Sequence, residues 1–100
     1  MNNVTSLRTH IDETTAVVTL LIRSLVDDAE SVQMNRIEGS QAVIFEVTVA
    51  PDDVRRLIGR KGRTADAVRE ILTNLGGKAG RRYMLEIVEP ATRSQLARSA

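Results

Sequence analysis

The chain has 100 residues, 42% hydrophobic and 27% charged, with a formal net charge of +1 and no cysteine. That length suits one domain of ordinary size rather than two. Without cysteine, disulfides and thiolate metal centres are excluded, which fits a reducing, cytoplasmic compartment. The near-neutral total hides an uneven distribution. Residues 1–54 carry three basic groups against nine acids, whereas residues 55–82 carry nine basic groups against two acids. A block this basic is either a solvated helix face or the footprint of a polyanionic ligand.

Taken in chain order, residues 1–11 are polar and read as an N-terminal extension. From Asp12 the apolar positions Val17, Val18, Leu21 and Leu25 follow helical spacing, with Asp12 and Glu13 favourably placed in the first turn. The surrounding apolar stretch, Ala16 to Val26, is interrupted by Thr19, Arg23 and Ser24 and is too short to span a bilayer. The N-terminus lacks the positive run that opens a secretory signal. Asp27-Asp28-Ala29 breaks the helix, and alternation around Val32 and Met34 predicts a strand. Glu38-Gly39-Ser40-Gln41 supplies turn chemistry before a stronger strand over 42–49, with Val43, Phe45, Val47 and Val49 on one face. The two strands are expected to pair as an antiparallel hairpin.

Pro51 suits a helix start, where its missing N–H costs nothing, and Asp52 and Asp53 complement the dipole. Val54, Leu57 and Ile58 then form the buried side of a short helix that stops at Gly59. A further helix is predicted from Thr64 to about Leu75, ended by Gly76-Gly77. Alternation of Tyr83, Leu85 and Ile87 predicts a third strand over 82–88, and residues 90–100 read as a flexible C-terminal tail. The order is α-β-β-α-α-β: an α+β domain over residues 12–89, with three helices packed on one face of a three-stranded sheet.

The chemistry concentrates in Gly59-Arg60-Lys61-Gly62. Two helices joined by so short a segment need backbone angles that glycine supplies without a Cβ penalty. The missing side chains also let a ligand approach the main chain. The N–H groups opening the second helix lack intrahelical partners and favour an anion, and Arg60 and Lys61 add cations over them. By itself a GxxG is a weak signal, more often a plain helix–helix turn than a ligand loop. Leu57-Ile58 before it, Arg63 after it and the hairpin upstream make it specific.

With that context, Leu57-Ile58-Gly59-Arg60-Lys61-Gly62-Arg63 resembles the signature of the KH domain, whose GxxG loop clamps the backbone of about four nucleotides. The element order is similar to the type II arrangement. The stretches Val49 to Val54 and Gly59 to Ala65 resemble the small bacterial KH proteins of the KhpA family, and the similarity runs from about Ala16 to Glu89. One departure is Ala65, where many KH domains carry a larger aliphatic residue. The resemblance implies a single-stranded RNA partner held by Gly59, Arg60, Lys61 and Gly62 in a groove between the loop and a sheet edge. Ile58, with Val54, would floor the groove, and Arg63, Arg55 and Arg56 would flank it. Arg69, Lys78, Arg81 and Arg82 are lesser contributors. It further implies a role as an RNA chaperone or post-transcriptional regulator, and a homodimer or a heterodimer with another KH-containing protein. On the last helix Ala65, Ala67, Val68, Ile71, Leu72 and Leu75 span an arc of about 160°, wider than sheet packing requires. Ala65, Val68 and Leu72 are accordingly the candidate dimer surface, with a deeply packed core helix as the equal alternative; the alternative function is a KH-fold protein-interaction module that serves dimerisation or docking to a larger KH-containing partner.

Other functions find little support. With only Phe45 and Tyr83 as aromatic residues, a sheet that stacks bases on aromatic side chains is excluded. His10, the single histidine, lies in the polar extension beside no nucleophile and is expected to be solvated. Asp52-Asp53 is explained by its helix-start position. The loop lacks the Gly-Lys-Ser/Thr ending of a phosphate-binding P-loop. The expectation is a non-enzymatic protein with no cofactor, no metal, no small-molecule substrate and no membrane partner.

Overall fold

The computed structural model describes residues 3–88, so the expected tail at 90–100 lies outside the described residues. The element order is α1 (Asn3–Leu25), β1 (Gln33–Glu38), β2 (Ala42–Thr48), α2 (Val54–Ile58), α3 (Arg63–Ala79) and β3 (Arg82–Val88). This is the expected α-β-β-α-α-β order. The sheet order is β1-β2-β3. β1 lies antiparallel to β2, with Gln33 opposite Thr48, whereas β3 lies parallel to β2, with Ala42 opposite Arg82. A parallel neighbour needs a crossover. Here α2 and α3 supply it.

β2 is central, and its alternation decides which face is covered. Val43, Phe45, Val47 and Val49 are all buried, while Ala42, Ile44, Glu46 and Thr48 on the opposite face are half-exposed. From the helical side the core receives Ile11, Val18 and Ile22 of α1, Leu57 of α2, and Val68 and Leu72 of α3. Truncating a fully buried side chain such as Leu72 to alanine would cost about 2–5 kcal/mol.

α1 begins at Asn3, well before Asp12, so residues 3–11 belong to a continuous helix. Leu7 and Ile11 continue the stripe of Thr14, Val18 and Ile22 at spacings of three and four and pack on the core. The β-branched residues that disfavour a helix are accommodated by back-bonding: Thr15 donates to the Ile11 carbonyl at 2.7 Å and Thr19 to that of Thr15 at 2.7 Å. His10 is half-buried rather than solvated. Its Nδ1 lies 2.8 Å from the Tyr83 hydroxyl, and Tyr83 meets Phe45 edge-on at 5.3 Å between ring centroids. Burial pushes the Tyr83 phenol above its usual range.

α3 passes through Gly76 and Gly77 and stops at Gly80, whose φ of 70° is left-handed. Gly76 serves packing instead of termination. A Cβ there would collide with the Arg81 carbonyl oxygen and lie 2.8 Å from the Tyr83 amide nitrogen. The helix therefore sits directly on the start of β3. Among the described residues, no helix is long and apolar enough to cross a membrane.

Candidate nucleic-acid interface

The short helix α2 is anchored from both ends. Leu57 is fully buried, and Asp53 just before the helix is buried as well. The Asp53 carboxylate accepts hydrogen bonds from the backbone N–H groups of Asp27, at 3.0 Å, and Asp28, at 2.9 Å. Those two bonds, helped by Arg56, hold the Asp53 carboxyl below the ordinary carboxylate range. Arg56 spans the same joint, 2.9 Å from Asp27 and 3.5 Å from Asp53. Although it lies in the basic block, its charge is already engaged. Its expected place beside the loop gives way to this ion pair, because Asp27 and Asp53 lie within its reach.

Beyond Ile58, which is half-buried, the chain turns at Gly59 with φ 81° and ψ 172°, a conformation nearly reserved for glycine. A Cβ at Gly59 would run into the Oγ1 and Cβ of Thr64. Lys61 (φ 56°, ψ 25°) is the one non-glycine residue with positive φ among the described residues, and Gly62 (φ 75°, ψ 11°) is left-handed too. Strain of about 1–3 kcal/mol at such a lysine persists only where surrounding structure enforces it. Gly62 N–H donates to the Gly59 carbonyl at 3.1 Å, closing the loop.

Two consequences follow for an anion. Gly62 in the left-handed region followed by Arg63 in the right-handed region brings the chain into α3 with the N-terminus of that helix facing the loop. No side chain caps the start of α3, the positive end of a 17-residue helix, although the Arg63 N–H is already taken by the Arg60 carbonyl. Arg55, Arg60, Lys61 and Arg63 are exposed, and none is within ion-pair distance of an acid among the described residues. Asp66, in the first turn of α3, has its carboxylate 3.9 Å from where a Gly62 Cβ would stand.

A groove of about 510 Å³ lies between α3 and the free edge of β3, lined by Arg69, Thr73, Gly77, Arg81, Arg82 and Met84 among others. β3 follows α3 through the tight Gly80-Arg81 turn and runs back along it toward the loop end. The structure therefore brings Arg69, Arg81 and Arg82 together, as lesser contributors to one groove. It places Lys78 elsewhere, in a cleft with Ser6, Leu7 and His10. Thr73, Gly77 and Met84 are groove residues that sequence reasoning missed. The available signal was Gly77, a glycine in a helix interior where a Cβ would meet nothing within 4 Å, so that packing does not require it.

The candidate dimer surface is corrected. Ala65, Val68 and Leu72 are 2%, 3% and 0% exposed and belong to the chain's own core. The wide apolar arc arises because α3 packs on β3 with one side and on α1 with another. What it leaves outside is Ile71, 47% exposed, beside a cleft that also involves Leu21, Leu25 and Ala67. Among the described residues, no three of His, Cys, Asp and Glu converge as metal ligands.

Comparison with known proteins places this geometry. The family described as KhpA/KhpB, KH domain matches residues 15–87. The RNA-binding protein KhpA of Aquifex aeolicus is 42% identical over 73 residues, covering 73% of this chain and 92% of that protein. Its counterpart in Borreliella burgdorferi is 40% identical over 73 residues, covering 73% and 89%. That of Caldanaerobacter subterraneus is 36% identical over 72 residues, covering 72% and 96%. No solved structure gives a significant match.

Proposed function

The chain belongs to the KhpA/KhpB KH-domain family, and from that premise we propose that it binds short single-stranded RNA by clamping its backbone on the Gly59–Gly62 loop. The observation that carries this reading is the conjunction at the loop: a glycine-only bend, an uncapped helix start, and four exposed cations with no acid partner among the described residues. The relatives' shared name, RNA-binding protein KhpA, favours RNA over other polyanions. In this account the positive end of α3 takes one phosphate, Arg60 and Lys61 its neighbours, and Arg55 and Arg63 the flanks. Ile58 supports the floor. Bases extend toward the α3–β3 groove, where β3 has unpaired edge groups and Arg69 and Arg82 lie alongside. Such a clamp reads little sequence, which suits an RNA chaperone or post-transcriptional regulator.

The direct test is the salt dependence of fluorescence anisotropy with a short labelled RNA. Three or four phosphates engaged on a single strand give a log–log slope of roughly −2 to −3. A slope near zero would contradict the clamp.

We also propose that a second KH-containing chain docks on the α1–α3 flank. Val17 and Leu20 of α1 are 56% and 67% exposed, and with Ile71 they leave large apolar side chains in water around the cleft of Leu21, Leu25 and Ala67. The same cleft reaches Arg63 and Thr64, so a chain docked there borders the loop.

A further inference from the structure

The early turns of α1 form a cleft with the end of α3 that lies farthest from the loop. Ser6 and His10 stand one turn apart on one face of α1. The last turn of α3 brings Lys78 and Ala79 across from them, and with Leu7 these residues line a cleft of about 340 Å³. That is at the small end of the range for ligand pockets. Leu7 and Ala79 pack against the core, so the cleft has an apolar floor and a polar rim. Ser6 and His10 precede residue 15, where the KH-family match begins.

The rim is made of donors. The Tyr83 phenol, which burial keeps protonated, lies 2.8 Å from His10 Nδ1. When Tyr83 donates its O–H there, Nδ1 is the acceptor and the ring proton sits on Nε2. With Nδ1 committed, Nε2–H is the polar group that His10 has left for the cleft. The Lys78 ammonium brings three N–H donors, and Ser6 a hydroxyl that rotates to suit. No acid lines the cleft, and neither His10 nor Lys78 is within ion-pair distance of a carboxylate among the described residues. A hydroxyl, an imidazole N–H and an ammonium on three separate side chains suit an anion with three free oxygens. A phosphate inside a strand has two such oxygens, whereas a terminal phosphate has three.

We propose that Ser6, His10 and Lys78 form a binding site for a terminal phosphate group, separate from the Gly59–Gly62 loop. Its affinity is weak, since Ser6 and Lys78 are exposed and only His10 is held in place. Lys78 lies 15 residues along α3 from Arg63, roughly 22 Å at 1.5 Å per residue. Occupation of one site therefore leaves the other accessible, and the inference stands whether or not the loop binds RNA.

His10 is the single histidine, so its imidazole C–H signals in a proton NMR spectrum report on this site alone. The test titrates the full chain with potassium phosphate at constant pH, against potassium chloride at matched ionic strength. Phosphate should shift the His10 signals saturably in the millimolar range, and chloride should not. Lys78→Gln should weaken the response about tenfold and Ser6→Ala about threefold. Both residues are exposed, so neither change disturbs the core. An RNA bearing a 5′-phosphate, compared with the same RNA bearing a 5′-hydroxyl, then identifies the source of the group. Tighter binding of the phosphorylated form, lost in Lys78→Gln, assigns the site to a strand end. Equal binding of the two RNAs, with the phosphate response intact, assigns it to a small phosphorylated molecule. The proposal is overturned if phosphate moves the His10 signals no more than chloride does, or if Lys78→Gln responds like wild type.

Discussion

In the first half of the chain Arg8 lies 2.8 Å from Glu38 and Arg36 lies 2.6 Å from Asp12, whereas Arg55, Arg60, Lys61 and Arg63 meet no acid among the described residues. The same side-chain chemistry serves two ends. Paired arginines tie α1 to β1: Arg36 also reaches Thr15 at 3.2 Å and Glu38 at 3.6 Å. Neutralised in this way, they offer a phosphate little, since it would have to displace a carboxylate. Unpaired cations give the fold nothing and remain available to a polyanion, which releases counterions on binding. Arg56 shows that position in the sequence does not decide which group a residue joins. It sits next to Arg55 but pairs with Asp27 and Asp53, and so belongs with the structural set.

The contrast can be broken hardest at Gly59, which aims the free cations. Gly59→Ala places a Cβ against Thr64 and demands a φ that alanine resists. We expect a loss of about 1–3 kcal/mol in chemical denaturation, together with loss of measurable RNA binding by anisotropy.

Asp53 is the next lever, because it fastens α2 to the end of α1. Its carboxyl titrates lower in the folded chain than in the unfolded one, through the Asp27 and Asp28 N–H groups first. A lowered folded value means the stabilisation is complete above the unfolded carboxylate range, near pH 4. It is lost as pH falls from there through the lowered folded value. Asp53→Asn should lower the melting temperature by several degrees at neutral pH. Melts across an acid pH series should also show a shallower loss than in wild type.

Smaller effects sharpen the comparison from both sides. Arg36→Met should cost about 1 kcal/mol in denaturation while leaving RNA affinity within twofold. Asp66→Asn removes the acid beside the open start of α3. A helix-terminal charge is worth about 0.3–1 kcal/mol, so affinity should rise about two- to fivefold in anisotropy.

Much of the architecture was legible because local patterns agreed with the tertiary outcome. The alternation over 42–49 separated covered from open faces correctly, and the bracketing of Gly59-Arg60-Lys61-Gly62 marked the loop. Four features were not legible, for separate physical reasons. The first turns of α1 carry Val4, Leu7 and Ile11 as sparse apolar signals, and the core contacts that hold Leu7 and Ile11 come from distant residues. Gly76-Gly77 carries the composition of a helix end, yet Gly76 is required by the close approach of β3. A helical wheel reports an apolar arc and not its neighbours, so Ala65, Val68 and Leu72 looked available although β3 and α1 cover them. Likewise, no spacing rule joins Arg56 to Asp27, which the fold brings together from the end of α1.

The central claim is that the unpaired cations of the loop, and not basic charge in general, hold the RNA. The most direct measurement is anisotropy binding of a short labelled RNA to wild type, to Arg60→Asp, Lys61→Asp, and to Arg8→Asp, Arg36→Asp, with folding of each verified by circular dichroism. The account predicts that the loop variant fails to bind, while the second variant retains near wild-type affinity wherever it remains folded, despite the same change in net charge. Equal binding by wild type and the folded loop variant would contradict it.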